Sequence, residues 1–293
     1  VTTTNDSGAG SLRQAVQIAN LSSTASLITF TNTLSGQTIL LTSGQIGLSN
    51  NLAIDASALA SRILLNGNGS NRIFFVNTGV TATLNSLIVT NGLANASLGG
   101  GIQNRGSLTL NDCILANNKA GNGGGLVNYN SLTASNCTFS GNIASPGDGA
   151  GIYHNNGTTA LNRCTLANNS GRYGAGISAA GGALTLNNCT LANNNGSAYG
   201  GGLYNQSTTI LNHCTLANNT ADTGGGIFHN GGAMLITNSI VSLNSGGNIS
   251  GDAITGSSNL VGVATINLAP LGYYGGPTET MPPMPGSPAI DAG

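Results

Sequence analysis

Charge is the scarcest property of this chain. Of 293 residues, 7 are Lys or Arg and 8 are Asp or Glu, so 5% are charged, against about 25% in ordinary soluble domains. Arg13, Arg62, Arg72, Arg105, Lys119, Arg163 and Arg172 are scattered and form no basic cluster. With a formal net charge of -1, nothing draws the chain toward nucleic acid or an anionic membrane. Trp is absent, and no run reaches the ~18 apolar residues of a membrane helix, so no transmembrane segment is expected. There is no Cys-x2-Cys pair to suggest a metal site, and no GxGxxG loop opens a helix to hold a phosphate or cofactor. No signal peptide is visible, so Val1 reads as a processed end or a boundary of other origin.

What is present is a repeat. Cys113, Cys137, Cys164, Cys189 and Cys214 lie 24, 27, 25 and 25 residues apart, each inside a phrase such as LTLNNCTLANN. A glycine cluster and an apolar residue follow each time, as in GGGL at 200–203 and GGGI at 224–227. A fixed period of this length signals a stacked architecture, in which each unit buries its apolar face against its neighbours. It also argues against disorder, to which a Gly-, Asn- and Ser-rich composition would otherwise point.

One unit shows the local geometry. In 184–205, Leu184 and Leu186 alternate as on a half-buried strand, and so do Cys189 and Leu191. The step from Leu186 to Cys189 is three, so the chain turns a corner at Asn187–Asn188. A glycine loop and a third strand at Leu203–Asn205 complete the unit. Three short strands and three corners predict a single-stranded parallel β-helix of about 25 residues per coil, right-handed as nearly all parallel crossovers are. The columns hold through the stack. Leu110, Ala134, Leu161, Leu186, Leu211 and Ile236 form one, and Leu115, Phe139, Leu166, Leu191, Leu216 and Val241 another.

The cysteines read as a ladder of buried thiols. Equivalent residues in successive coils lie about 4.8 Å apart with parallel side chains, whereas a disulfide needs Cβ atoms about 3.8 Å apart and facing each other. Two asparagine columns are predicted beside them. Asn111, Asn162, Asn187 and Asn212, with Asn85, stand at the corner before the Cys strand. Asn118, Asn142, Asn169, Asn194, Asn219 and Asn244 stand after it. Stacked amides can donate and accept along such a column.

The ends depart from the repeat. Residues 1–27 are read as an N-terminal strand and a capping helix, with Leu12, Ala15, Val16 and Ala19 at helical spacing behind an N-cap at Ser11. Residues 28–263 form the β-helix, with irregular coils over 28–91, regular ones over 92–244 and a degenerate last coil over 245–263. Residues 264–293 are a Pro- and Gly-rich tail unable to supply interior strands.

These phrases resemble known repeats. GGGI with FSGN or LANN is similar to the GGA-I and FxxN signals of the chlamydial polymorphic outer-membrane proteins. NDSGAGSLRQAVQIAN at 5–20 and GGPTETMPPMPGSPAIDAG at 275–293 resemble the opening and closing segments of the choice-of-anchor Q β-helix proteins. The resemblance spans nearly the whole chain. It implies a right-handed β-helix, export to the outside or surface of a bacterial cell, and a surface or adhesive role. It implies no catalytic set.

The residues themselves point the same way. Acid–base chemistry on such a scaffold needs clustered carboxylates. Asp148 and Asp222 share a face but stand three coils apart, roughly 14 Å at about 4.8 Å per coil. His154 and His229 are separated equally, and Asp112, Arg163 and His213 occupy a solvated corner slot. Catalytic, cofactor and metal residues are therefore not expected. Tyr153, Tyr204 and Phe228, with Tyr129 and Tyr173 nearby, are predicted to face outward, as a candidate surface for sugars or another subunit.

The expectation is a non-enzymatic, extracellular structural or adhesive protein. Its partners would be further copies of itself, surface glycans or other cells. The β-prone Val1, Thr2, Thr3 and Thr4 would add to the edge of the next copy and build a head-to-tail filament. The alternatives are a carbohydrate-binding or polysaccharide-degrading module, and a monomeric stalk that displays a terminus.

Overall fold

The computed structural model describes residues 1–290 and 292, the Ala96 side chain excepted, as a solenoid of parallel strands closed at its start by one helix. Asp291 and Gly293, at the end of the predicted tail, lie outside the described residues. The coil containing Cys164 shows the plan. A first strand, Thr158–Asn162, is followed by a second, Thr165–Ala167, a third, Ser170–Tyr173, and a fourth, Ile177–Ala179. Each pairs in parallel with its equivalents in the coils before and after, giving sheets of 10, 10, 5 and 9 strands. The irregular early coils keep this register, with Leu52 opposite Ala82 and Ile63 opposite Leu87.

The five-stranded sheet adds a fourth strand, in five coils, to the expected three. Segments such as Asn195–Tyr199 read as loops because they lack an alternating apolar pattern. They become strands because loops of similar shape stack at strand spacing and exchange backbone hydrogen bonds, with the small Ala94, Ala120 and Ala144 inside them.

The corners follow from backbone preference. The residue before each Cys is left-handed, as at Asn136 and Asn188 with φ of 55 and 54°, and so is Asn238 before Ser239, with φ of 49°. So is the third residue of each LANN phrase, as at Asn168 and Asn193, both with φ of 57°. Asn tolerates this region better than other residues with a side chain. Asp112, Arg163 and His213 occupy the first corner with φ of 53, 52 and 53°, so the corner accepts what it does not favour. In the third corner Gly174 has φ +55°, and a Cβ on Gly176 would meet the Gly202 carbonyl oxygen at 2.5 Å. Neighbouring coils approach too closely there for any side chain.

Inside, the five thiols are free and buried. Each Sγ donates to backbone carbonyls, as Cys189 does to Asn187 at 3.3 Å and Leu161 at 3.5 Å. Asn118, Asn142, Asn169, Asn194 and Asn219 form a fully buried column. Each sends both its backbone N–H and its Nδ2 to the Oδ1 of the next, and Nδ2 also donates to a carbonyl of the previous coil, as Asn194 does to Leu166 at 2.9 Å. Asn244 ends the column by donating to Asn248 within its own coil.

The other predicted asparagine ladder is discontinuous. Asn111 donates to Asn85 at 2.9 Å and Asn187 to Asn162 at 3.2 Å, but Ser135 breaks the column between them. These amides are half-buried at a corner. A third buried column, Asn104, Asn128, His154, Ala179, Asn205 and His229, closes the fourth strand of six coils. The period conceals it because histidine and alanine replace asparagine in it.

The helix Leu12–Asn20 buries Leu12, Val16 and Ala19 against the first coil, and Ser11 caps it by accepting from the Gln14 N–H. Val1–Thr4 does not project as the expected free strand. The Val1 ammonium donates to the Thr29 carbonyl at 2.7 Å, the Thr31 N–H to Val1 at 2.9 Å, and the Thr2 N–H to Gly10 at 2.9 Å. Val1 also packs on the core. An edge beside the first strand was available within the same molecule, and the segment fills it.

At the other end, Ile249–Gly251, Thr255–Ser257 and Leu260–Val261 form the last coil, and each pairs with only one neighbour. Among the described residues the tail supplies no strand to the four sheets. It folds back through the antiparallel bridges Leu268–Pro283 and Gly272–Thr280 and lies on the outside of the second sheet. There Met281 is buried against Ala192 and Ala217.

Candidate binding site: a ridge of aromatic rings and arginines

The outer edge where the third and fourth strands meet carries most of the aromatic residues. Tyr173 and Tyr199 end third strands of successive coils and face each other in register. Tyr204 and Phe228 are the middle residues of successive fourth strands, also in register. Middle positions of a three-residue strand point away from the core when both ends point in. Parallel pairing thus brings four rings together.

The rings form a tile. Centroids lie 5.4 Å apart for Tyr173–Tyr199 and 5.2 Å for Tyr173–Tyr204, both stacked. Tyr199–Phe228 is 4.6 Å and tilted, and Tyr204–Phe228 is 5.8 Å with planes 3° apart. Such offset pairs stabilise one another beyond their burial. Asn230 Nδ2 donates to the Tyr204 hydroxyl at 3.0 Å and holds one ring in place.

Of the three predicted aromatics, Tyr204 and Phe228 belong to this tile and Tyr153 does not. Tyr153 pairs in register with Val127 and Ser178, so serine separates it from Tyr204. Burial pushes the Tyr153 phenol up, and the charges of Asp148 and Tyr129 push the same way. Asp148 is half-buried. Burial raises its carboxyl, against a lowering by the Tyr173 N–H at 3.3 Å and the Arg172 charge. It braces the backbone beneath the tile.

Three of the seven cations lie along the same edge. The Arg172 guanidinium sits 4.5 Å from the Tyr173 ring centroid. Further toward the N-terminus, Arg72 and Arg105 lie 5.8 and 5.5 Å from the Phe75 centroid, and Arg105 is also 5.7 Å from that of Tyr129. These are cation–π distances. Along the sequence the cations look scattered, and nothing there groups Phe75, Tyr199, Arg72, Arg105 and Arg172 on one surface. Tyr173 and Tyr199 carried a usable signal, since each immediately precedes a glycine cluster. The arginines carried none, because their slots in the coil differ.

The remaining polar candidates are dispersed. His154 and His229 are buried in the third column, three coils apart. Asp112, Arg163 and His213 stand at the first corner, and the Arg163 Nε donates to Asn136 Oδ1 at 3.1 Å. Among the described residues no three of His, Cys, Asp and Glu converge as a metal site would require. No family model, curated protein or solved structure matches this chain.

Proposed function

We propose that this chain is a non-enzymatic structural or adhesive protein of the cell exterior, a rigid rod that holds polysaccharide along its aromatic ridge. The four-ring tile carries this reading. Half-exposed rings in fixed orientation, set on parallel strands, suit the flat apolar faces of sugar rings. Coils repeat at about 4.8 Å, a spacing close to that of successive sugars in an extended chain. The buried ladders keep the platform stiff. Asp148 and Asp222 lie three coils apart, roughly 14 Å, whereas paired glycosidase carboxylates stand about 5–9.5 Å apart. That spacing favours holding over cleaving. The test is retention on insoluble cellulose and chitin. The native chain should be retained on at least one of them, and the variant carrying Tyr173→Ala and Tyr204→Ala should pass through. Equal retention of both sinks the reading.

A second reading, end-to-end assembly, is favoured by the last coil, whose strands each lack an outer partner and whose Val261 is 43% exposed. Unpaired strand edges add further strands readily. Donation of Val1–Thr4 to that edge would first have to release its bonds to Thr29 and Thr31. Negative-stain microscopy of the native chain and of one lacking residues 1–4 decides this. Fibres unchanged by the deletion eliminate strand donation, and no fibres in either eliminate assembly.

A further inference from the structure

Arg72 and Arg105 place two positive charges on one aromatic ring, and among the described residues no carboxylate pairs with either. The only ion pair among the described residues is Asp6–Arg13, in which Asp6 is already matched by Arg13. Arg72 is fixed. Its Nε donates to the Gly99 carbonyl at 2.9 Å, Nη2 to Leu98 at 2.6 Å and Nη1 to Gln45 Oε1 at 2.6 Å. Arg105 is different. It is exposed and donates no side-chain hydrogen bond among the described residues. Its position is set by Phe75 on one side and Tyr129 on the other, at 5.5 and 5.7 Å. Rings that take up the faces of a guanidinium leave its N–H edge free.

The two charges feel each other. Burial lowers the Arg72 pKa first, and the Arg105 charge lowers it further. A fold with seven cations in 293 residues has ample surface on which to keep two of them apart. The nearest acid along the ridge, Asp148, stands two coils beyond Arg105, roughly 10 Å, and its Oδ1 already accepts from the Tyr173 N–H.

We infer that the N-terminal half of the ridge, centred on Arg105 between Phe75 and Tyr129, binds the anionic groups of an acidic polysaccharide. This rests on the ridge being a sugar-holding surface, and it names the class of sugar. The planar guanidinium fork matches a carboxylate or sulfate with two parallel hydrogen bonds and keeps its charge at any physiological pH. Phe75 and Tyr129 hold the guanidinium between them and leave its N–H edge to the anion. A nucleic acid fits less well. Its phosphates follow one another about every 1.7 Å of duplex axis, and Asp148, Asp222 and Asp252 further along would repel so dense a line of charge. A polysaccharide carrying one anion every sugar or two meets the isolated arginines and avoids the acids.

The experiment measures binding of the intact chain to four probes at low and at 0.3 M salt. These are polygalacturonate for carboxylate, dextran sulfate for sulfate, neutral hydroxyethyl cellulose, and a single-stranded oligothymidine. At least one acidic polysaccharide should bind at least tenfold more tightly than the neutral one, and weaken as salt rises. Arg105→Ala should cost about tenfold on the acidic polymer, as expected for a charge-assisted hydrogen bond, and much less on the neutral one. Arg105→Lys should recover only part of the loss. The Arg105 side chain makes no hydrogen bond among the described residues, and its backbone N–H bond to Val76 survives the substitution, so a misfolded variant would not explain the result. Equal binding by Arg105→Ala, or oligothymidine binding as tight as the acidic polymer, overturns the inference. Tyr204→Ala tests the ridge separately. If it leaves the neutral polymer bound, the ridge reading fails whatever Arg105 does.

Discussion

Asn194 gives both its backbone N–H and its Nδ2 to a single atom, the Oδ1 of Asn219 one coil on, at 3.0 and 2.9 Å. Asn219 in turn donates to the Leu191 carbonyl at 2.8 Å and to Asn244 at 3.0 Å. Asn219→Ala would strand two donors of Asn194, a residue with 1% exposure. Each buried unsatisfied group costs about 1–3 kcal/mol, so a loss of about 3 kcal/mol is expected from the urea midpoint. Asn187→Ala, in the half-buried column, should cost less than about 1 kcal/mol. Equal costs would mean that the two columns do the same structural work.

The thiol column should be inert to reagents and tolerant of serine. Ser239 already occupies a thiol position, where its Oγ accepts from the Cys214 N–H at 3.0 Å and donates to Thr237 at 2.7 Å. Cys189→Ser can make the same pair of bonds and should cost less than about 1.5 kcal/mol. In the native protein a thiol-specific dye should label none of the five cysteines, and in denaturant all five. Rapid native labelling would contradict their burial.

Much of this was legible from one period. The apolar columns, the corner at Asn187–Asn188, the thiol ladder and the cap all follow from the spacing of single residue types. The aromatic tile was half legible. Tyr204 and Phe228 share a slot in the coil, but Tyr173 and Tyr199 occupy another, and only the fold brings the two slots side by side. The third strand of the coil, such as Asn195–Tyr199, was hidden because backbone pairing, with no apolar alternation, makes it. Val1–Thr4 has the composition of a strand in any setting, and nothing in it tells an edge of its own molecule from that of another.

Asp6 ties the cap to the first coils. Desolvation pushes its carboxyl up, but hydrogen bonds from Arg13, Ser43 and Thr42 outweigh this and hold its pKa at about 2. Arg13 reaches on to the Gly44 and Gln45 carbonyls at 2.7 and 2.9 Å. A carboxyl depressed on folding stabilises the native state fully above its ordinary pKa of about 3.8, and that stability is lost as pH falls toward about 2. The contribution should be about 1–2 kcal/mol after allowance for solvent screening. Asp6→Asn should lower stability at neutral pH and flatten the profile between pH 4 and 2. A parallel shift at every pH would rule out the ionic origin.

His154 acts in a higher window. Its Nδ1 pairs with the Thr159 hydroxyl at 3.0 Å, and its Nε2 is buried without a partner among the described residues. Burial lowers its pKa from 6.5 to about 4. Above the ordinary pKa the ring is neutral whether folded or not, and contributes nothing to the pH slope. As pH falls from about 6.5 to 4 the unfolded chain takes up a proton that the folded one refuses, so stability declines by about 2–3 kcal/mol. His154→Asn, which extends the column of Asn104 and Asn128, should remove that decline. A variant with the same slope as the native chain would assign the loss to another group.

The tail should act as a cover whose loss leaves the rod standing. Thr278 Oγ1 donates to the Arg163 carbonyl at 3.2 Å, Thr190 and Thr280 share a hydrogen bond at 3.2 Å, and Met281 is 4% exposed over Ala192 and Ala217. Met281→Ala removes the largest apolar contact and should cost about 2–3 kcal/mol in tail docking. That should appear as proteolysis near residue 270 before the coils unfold. Deleting 264–293 strips the second sheet of its cover without removing a strand from any sheet. Far-ultraviolet circular dichroism should therefore keep its strand signature, while a hydrophobic dye binds the bared alanine and threonine columns. Loss of the strand signal would instead make the tail part of the folding unit. The open last coil would then depend on it, and the exposed edge invoked for assembly would no longer exist independently of the tail.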